Sequence, residues 1–281
     1  MALTINTNIS ALNAQRNLSS SQGALETSLR RLSSGLRVTS AKDDAAGLFS
    51  IQKMTADIRG LNQAVRNAQD GISLAQTGEG AMDQIQNAQQ RIREIAVQSA
   101  NATVEDRTGL QAEVDQLTQE ISRIVQTTAF NGTNLLNSSA TTLNFQIGQD
   151  SGAANRIAVT GLDLTGITGY SASLTATGVV DVSSSGAASA TIANLDSSAT
   201  GIDFVSSSRA TFGAVQNRFE SVVVNLTTYS ENLTAARSRI QDTDFAMETA
   251  NLTRAQILQQ AGVAMLAQAN TVPQTALTLL R

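Results

Sequence analysis

Histidine and cysteine are both absent from this 281-residue chain, and Lys42 and Lys53 are its only lysines. The usual zinc ligands, the usual general base near neutral pH and every thiol nucleophile are therefore missing. Neither lysine follows a glycine-rich loop that would cradle a phosphate. Ser–Lys and carboxylate-pair chemistry stay open in principle, but no motif supports either. The expectation is a protein that is not an enzyme and uses no metal and no cofactor. Net charge is −4 with no basic cluster, so nucleic acid is not an expected partner. No apolar run reaches the 18 residues of a membrane span. Residues Met1–Ser10 lack the basic start and apolar run of a Sec-type signal, and a chain exported unfolded has reason to avoid disulfides.

What the residue types do carry is a pattern for helix–helix contact. Leu25, Leu29, Leu32 and Leu36 step by four, three and four. Ile51, Met54, Ile58, Leu61, Val65, Ala68, Ile72 and Ala75 alternate three and four, and so do Phe212, Val215, Phe219, Val222, Leu226, Tyr229, Leu233, Ala236 and Ile240. That alternation keeps one seam toward a partner helix. The two arms lie at opposite ends of the chain and are natural partners, so the chain is expected to fold back on itself. A single proline, Pro273, and 3% aromatic residues suit long helices better than a wide core. The predicted class is mainly α, a long antiparallel helical bundle or coiled coil from both termini.

Along the chain, residues 1–37 read as one amphipathic helix, followed by a polar connection to Asp44. A long helix is predicted from Asp43 to about Ala100, roughly 85 Å at ~1.5 Å per residue. Asp43 is its expected cap. The heptad phase slips near Gly78-Glu79-Gly80, where each glycine costs ~1 kcal/mol relative to alanine, and a weak or bent point is expected there. Thr103–Asp106 resembles a cap with first-turn acids ahead of a second helix on Leu110, Val114, Leu117, Ile121 and Ile124. Asn131-Gly132 signals a turn. Alternation at Leu143, Phe145 and Ile147, then Ile157 and Val159, reads as a β-hairpin. Residues 168–208 are rich in Ser, Thr, Ala and Gly and lack a strong period; they are expected as a small β-rich or loop insert on the outside, or as a linker without fixed structure. Beyond Arg254 no charge appears until Arg281. Such a helix, like the uncharged residues 1–15, is useful only when buried against other copies of itself.

Several segments together resemble bacterial flagellin. They are Arg31-Leu-Ser-Ser-Gly-Leu-Arg37, Ser40-Ala-Lys-Asp-Asp-Ala-Ala-Gly-Leu48, Gln90-Arg-Ile-Arg-Glu-Ile-Ala-Val-Gln98, Thr128-Ala-Phe-Asn-Gly132, Gly213-Ala-Val-Gln-Asn-Arg218, Ala236-Arg-Ser-Arg-Ile-Gln-Asp242 and the ending with Pro273-Gln and Leu279-Leu-Arg281. The resemblance covers roughly residues 1–170 and 205–281, and the short middle implies that large outer domains are missing.

The resemblance implies a secreted, self-assembling subunit of the extracellular flagellar filament, exported unfolded by the type III apparatus. A hook–filament junction protein of the same appendage is the alternative. It implies a D0 domain from 1–42 and 239–281, a D1 domain from 43–167 and 209–238, and a variable insert at 168–208. Lys42, Asp43 and Asp44 would form the D0–D1 linker. The coiled-coil seam would use Ile51, Ile58, Leu61, Val65, Ile72, Phe212, Val215, Phe219, Val222, Leu226 and Leu233. A face with Gln90, Arg91, Ile95 and Gln98, plus Glu113 from the neighbouring helix, would contact other subunits and a host flagellin-sensing Toll-like receptor. By composition alone that face is a solvated mixture of charges. Further implied partners are the filament cap, the hook-junction proteins and a flagellin export chaperone.

Overall fold

The computed structural model describes residues 8–279. The predicted start of the first helix at residue 1 and the final Leu-Arg lie outside the described residues. The chain divides into two compact units, one drawn from its two ends, up to Ala56 and from Asn232, and one from Asp57–Glu231.

In the first unit, α1 spans Ile9–Ser34. It starts where the Asn8 side chain accepts a hydrogen bond from the Ala11 amide. It stops at Gly35, whose φ of 71° places it in the left-handed region that glycine enters without penalty. At its C-terminal end the helix is thus shorter than the predicted 1–37, stopping at Ser34. Helix α6, Phe245–Leu279, runs antiparallel to it. The Asn8 side chain donates to the Ala269 carbonyl, Gly262 abuts Leu18, and the Thr243 amide donates to the Gly35 carbonyl.

The second unit is built on α2, Ala45–Ala100, whose early residues belong to the first unit. Helix α2 runs unbroken through Gly78-Glu79-Gly80, where a weak or bent point was expected: Gly78, like Gly71, is part of the seam, and Gly80 is exposed. Ala64, Ala68, Gly71, Ala75, Gly78, Met82, Ile85, Gln89, Ile92, Ala96 and Ser99 are all buried, in unbroken steps of four and three. A count of large apolar residues alone misses Gly71 and Gly78 and so registers a slip. Helix α5, Ile202–Gln241, packs antiparallel along this stripe. Phe219 fills the hollow at Gly71, and Phe212 the one at Gly78. Of the predicted seam, Ile51, Ile58, Leu61, Phe212, Phe219 and Leu226 are buried; Val65, Ile72, Val215, Val222 and Leu233 are half-buried at its edge.

Helix α3, Thr108–Thr127, completes the core with Val114, Ile121, Ile124 and Val125. It begins later than the Thr103–Asp106 signal suggests, with Asp106 accepting from both the amide and the hydroxyl of Thr108. Strands β1, Ala129–Phe130, and β2, Thr133–Asn134, form a hairpin through Asn131-Gly132. Both turn residues have positive φ, 48° and 78°, as a two-residue type I′ turn requires. The predicted hairpin is present as β3, Thr142–Gln146, paired with β4, Arg156–Thr160, with Phe145 opposite Ile157. Its Phe145 ring meets Phe219 edge-on, with centroids 5.5 Å apart.

The expectation for residues 168–208 needs correction. The segment holds helix α4, Ser185–Leu195, and the first turns of α5. Val180, Val182, Ala188, Leu195 and Val205 all join the main core. The irregular stretch before α4 lies along α3 and takes several of its hydrogen bonds from side chains there. Gln111 donates to the Val180 carbonyl and accepts from the Val182 amide, both at 2.8 Å. Asp115 accepts from the Gly178 amide, Ser122 from the Ser171 amide, and Gln126 donates to Ser171 and Ala172 carbonyls. An irregular segment satisfied this way needs no strand partner and leaves no period in its own sequence.

Candidate assembly interface

Two exposed surfaces deserve comparison with the residues singled out above. The first lies on α2 and α3. Gln90, Arg91, Gln98 and Glu113 are exposed, as the sequence suggested. Ile95 is not part of that face: it is 1% exposed and sits in the core. One residue separates the core stripe from the surface here, so Ile95 packs inward beside Ala96 while Glu94 looks out. The Arg91 guanidinium donates to Glu113 at 2.8 Å and to Glu94 at 3.0 Å. The two carboxylates, Glu113 foremost, hold its pKa above the usual arginine range. Arg91 is thereby fixed in one pose, although at this exposure each pair adds little stability. Glu94 pairs with Arg91 at the i,i+3 spacing that puts two residues on one helix face. Two residues on, Arg93 makes a two-pronged contact with Asp196 at the end of α4, which nothing in the sequence announces.

The joint between α1 and α2 is a compact polar knot. Asp43 does not cap α2. Its carboxylate accepts from the hydroxyls and amides of Thr39 and Ser40 and pairs with Arg30 at 3.4 Å. The hydroxyls of Ser40 and then Thr39 are the main reason its pKa falls to about 2. The cap of α2 is Asp44, which accepts from the Gly47 amide at 2.8 Å. Lys42 is exposed beside them. Across the joint, Arg37 donates to the Ile240 carbonyl at 2.7 Å, tying the connection to the end of α5.

The second surface is the α1–α6 pair, and it is largely uncovered. Within α1 only Ser28 is buried, and within α6 through residue 271 only Glu248 and Ala255. Ile9, Ile257, Val263 and Met265 are each more than half exposed, as are Leu12, Leu29, Phe245, Met247 and Leu258. No charged side chain follows Arg254 along the rest of α6. Isolated apolar residues on a surface are ordinary; a contiguous set on two paired helices marks an interaction site. Among the described residues no helix is long and apolar enough to cross a membrane, so lipid is not what covers this flank by spanning. Among those residues there is also no group of three or more acidic side chains placed to hold a metal ion.

Comparison with known proteins gives this arrangement a context. Residues 5–141 match the bacterial flagellin N-terminal helical region, and residues 192–280 match the bacterial flagellin C-terminal helical region. The flagellin of Halalkalibacterium halodurans is 45% identical, with 99% of this chain and 100% of that protein aligned. Flagellin D of Vibrio anguillarum is 36% identical over the full length of both. The crystal structure of Bacillus cereus flagellin is 31% identical, covering 61% of this chain and 94% of that one, with a TM-score of 0.48.

Proposed function

The chain belongs to the bacterial flagellin family and is a structural subunit of the extracellular flagellar filament, and from that premise we propose that the bare flank of α1 and α6 is the surface through which it polymerises. The observation that carries this reading is the apolar exposure itself: two paired helices, 26 and 35 residues long, on which, through residue 271, only Ser28, Glu248 and Ala255 are fully buried in the lone subunit. Covering a single leucine-sized side chain is worth ~1.5–3 kcal/mol, and several such side chains wait on each helix. In a polymer they find the same surface on a neighbouring copy, and the lack of charge beyond Arg254 removes the cost of desolvating it.

The domain division follows as part of the same proposal: a D0 domain from 1–42 and 239–281, a D1 domain from 43–167 and 209–238, and an insert at 168–208, with Lys42, Asp43 and Asp44 as the linker. The antiparallel pairing of α1 with α6 supports D0. The packing of 180–205 onto the D1 core supports an insert that is structural rather than ornamental. The face of Gln90, Arg91, Gln98 and Glu113 is proposed as a further subunit contact and as the surface a host flagellin-sensing Toll-like receptor reads, with Glu94 in the place that Ile95 vacates. The filament cap, the hook-junction proteins and an export chaperone are proposed partners on the strength of the family. The junction-protein alternative draws no support, since the full-length relatives are flagellins.

The test uses side chains that the lone subunit does not need. Ile257→Asp and Met265→Asp alter residues that are 60% and 64% exposed, so the monomer should keep its helical circular dichroism. Filament yield, measured by sedimentation and electron microscopy, should collapse. Normal filaments from both variants would refute the assignment of this flank.

A further inference from the structure

Asn131 is the sole asparagine in the chain that precedes a glycine. It occupies the tip of the β1–β2 hairpin, is exposed, and holds a φ of 48°. Its side-chain amide has no hydrogen-bond partner among the described residues, and neither has the backbone N–H of Gly132. Gly132 is exposed, and a Cβ placed on it would meet nothing within 4 Å, so the turn is open to water. The electrophile, the nucleophile and water therefore meet at one turn with nothing to shield them.

We propose that Asn131-Gly132 is a self-modification site, at which the hairpin slowly converts its own asparagine to aspartate and isoaspartate. The Gly132 nitrogen loses its proton to hydroxide and bonds to the Asn131 Cγ. The Cγ–Nδ2 bond breaks, the departing nitrogen takes a proton from water, and ammonia leaves a cyclic succinimide. Water then opens the ring at either carbonyl. One opening leaves aspartate on an unchanged main chain, and the type I′ turn accepts Asp-Gly as readily as Asn-Gly. The other routes the main chain through Cβ, giving isoaspartate with one extra methylene. A two-residue turn has no slack for that atom. The register of Phe130 with Thr133 is then lost, and the strain falls on Leu135 and Leu136, which follow β2 directly and are buried in the core. Each subunit thus carries a clock that marks its age at a fixed position.

The full chain is aged in mildly alkaline buffer and its peptides are followed by mass spectrometry, with isoaspartate labelled by protein isoaspartyl methyltransferase. Asn137-Ser138 is the internal comparison, because its side chain is engaged with the Ser139 amide. The proposal expects isoaspartate at position 131 several-fold sooner than at 137, in the folded chain. Asn131→Gln should abolish the signal. Asn131→Asp, a mimic of the harmless product, should retain the melting temperature of the fresh protein, while the aged, isoaspartate-bearing fraction loses it. Conversion at 131 no faster than at 137, or conversion seen only after the chain is unfolded, would overturn the proposal. So would an aged fraction as stable as Asn131→Asp.

Discussion

Adding one methyl group at Gly71 should destabilise the second unit, while adding the same group at Gly80 should stabilise it. Both glycines lie inside α2, where replacing glycine by alanine gains ~1 kcal/mol of helix propensity. They differ in what the new atom meets. At Gly80 there is nothing within 4 Å; at Gly71 a Cβ would stand 2.5 Å from the tip of the Phe219 ring. Ordinary contact begins near 3.4 Å, so the ring must retreat by about 0.9 Å. Phe219 is fully buried and is also held edge-on by Phe145, which leaves it nowhere to go. Overpacking a filled core costs ~1–3 kcal/mol. The net effect of Gly71→Ala is therefore a loss of about 0–2 kcal/mol after the propensity gain. Gly80→Ala should gain about 0.5–1 kcal/mol. For a body of this size each kcal/mol moves the melting temperature by ~2–4 °C, so the two variants should melt several degrees apart, on opposite sides of the parent. Thermal unfolding of the full-length monomer by circular dichroism measures this directly. Gly78→Ala, whose Cβ would stand 2.9 Å from the Phe212 ring, should fall between them. Shortening the knob in the double variant Gly71→Ala/Phe219→Leu should recover part of the loss. If Gly71→Ala stabilises as much as Gly80→Ala, the α2–α5 register described here is wrong.

Leu195→Ala should cost ~2–5 kcal/mol because Leu195 is fully buried, whereas Leu174→Ala, at 42% exposure, should stay within about 0.5 kcal/mol of the parent; deletion of 168–208, tolerable for a solvated loop, should abolish cooperative melting. Gln111→Leu removes the partner of the Val180 carbonyl and the Val182 amide and should lose ~1–3 kcal/mol, with faster hydrogen exchange at the Val182 amide as its local signature. Asp43 has a pKa depressed from an ordinary 3.8 to about 2, so its contribution is present above pH 3.8 and lost as pH falls through 2. Asp43→Asn should therefore weaken protection of the Thr39 and Ser40 amides at neutral pH, and the difference from the parent should vanish in strong acid.

Heptad spacing made the helices and their antiparallel partnership legible, because a side chain that must meet a partner helix recurs every three or four residues whatever its neighbours are. Turn chemistry was equally local: Asn131-Gly132 and Gly35 mark their sites because few residues tolerate positive φ. The missing histidine and cysteine excluded most catalytic chemistry before any coordinate was needed. Family motifs carried the rest of the functional reading. What only the tertiary structure decided are the places where meaning depends on a distant partner. Gly71 and Gly78 look like weak points until Phe219 and Phe212 are seen to occupy them. Ile95 looks like part of an exposed motif until the helix is rotated against its core. Asp43 and Asp44 are equally plausible caps by type, and only the path of the chain assigns Asp43 to Thr39 and Ser40. Residues 171–182 look solvated because their hydrogen bonds come from Gln111, Asp115, Ser122 and Gln126 on α3. A backbone satisfied by the side chains of another helix imposes no periodicity on its own sequence, so that contact had no local trace to read.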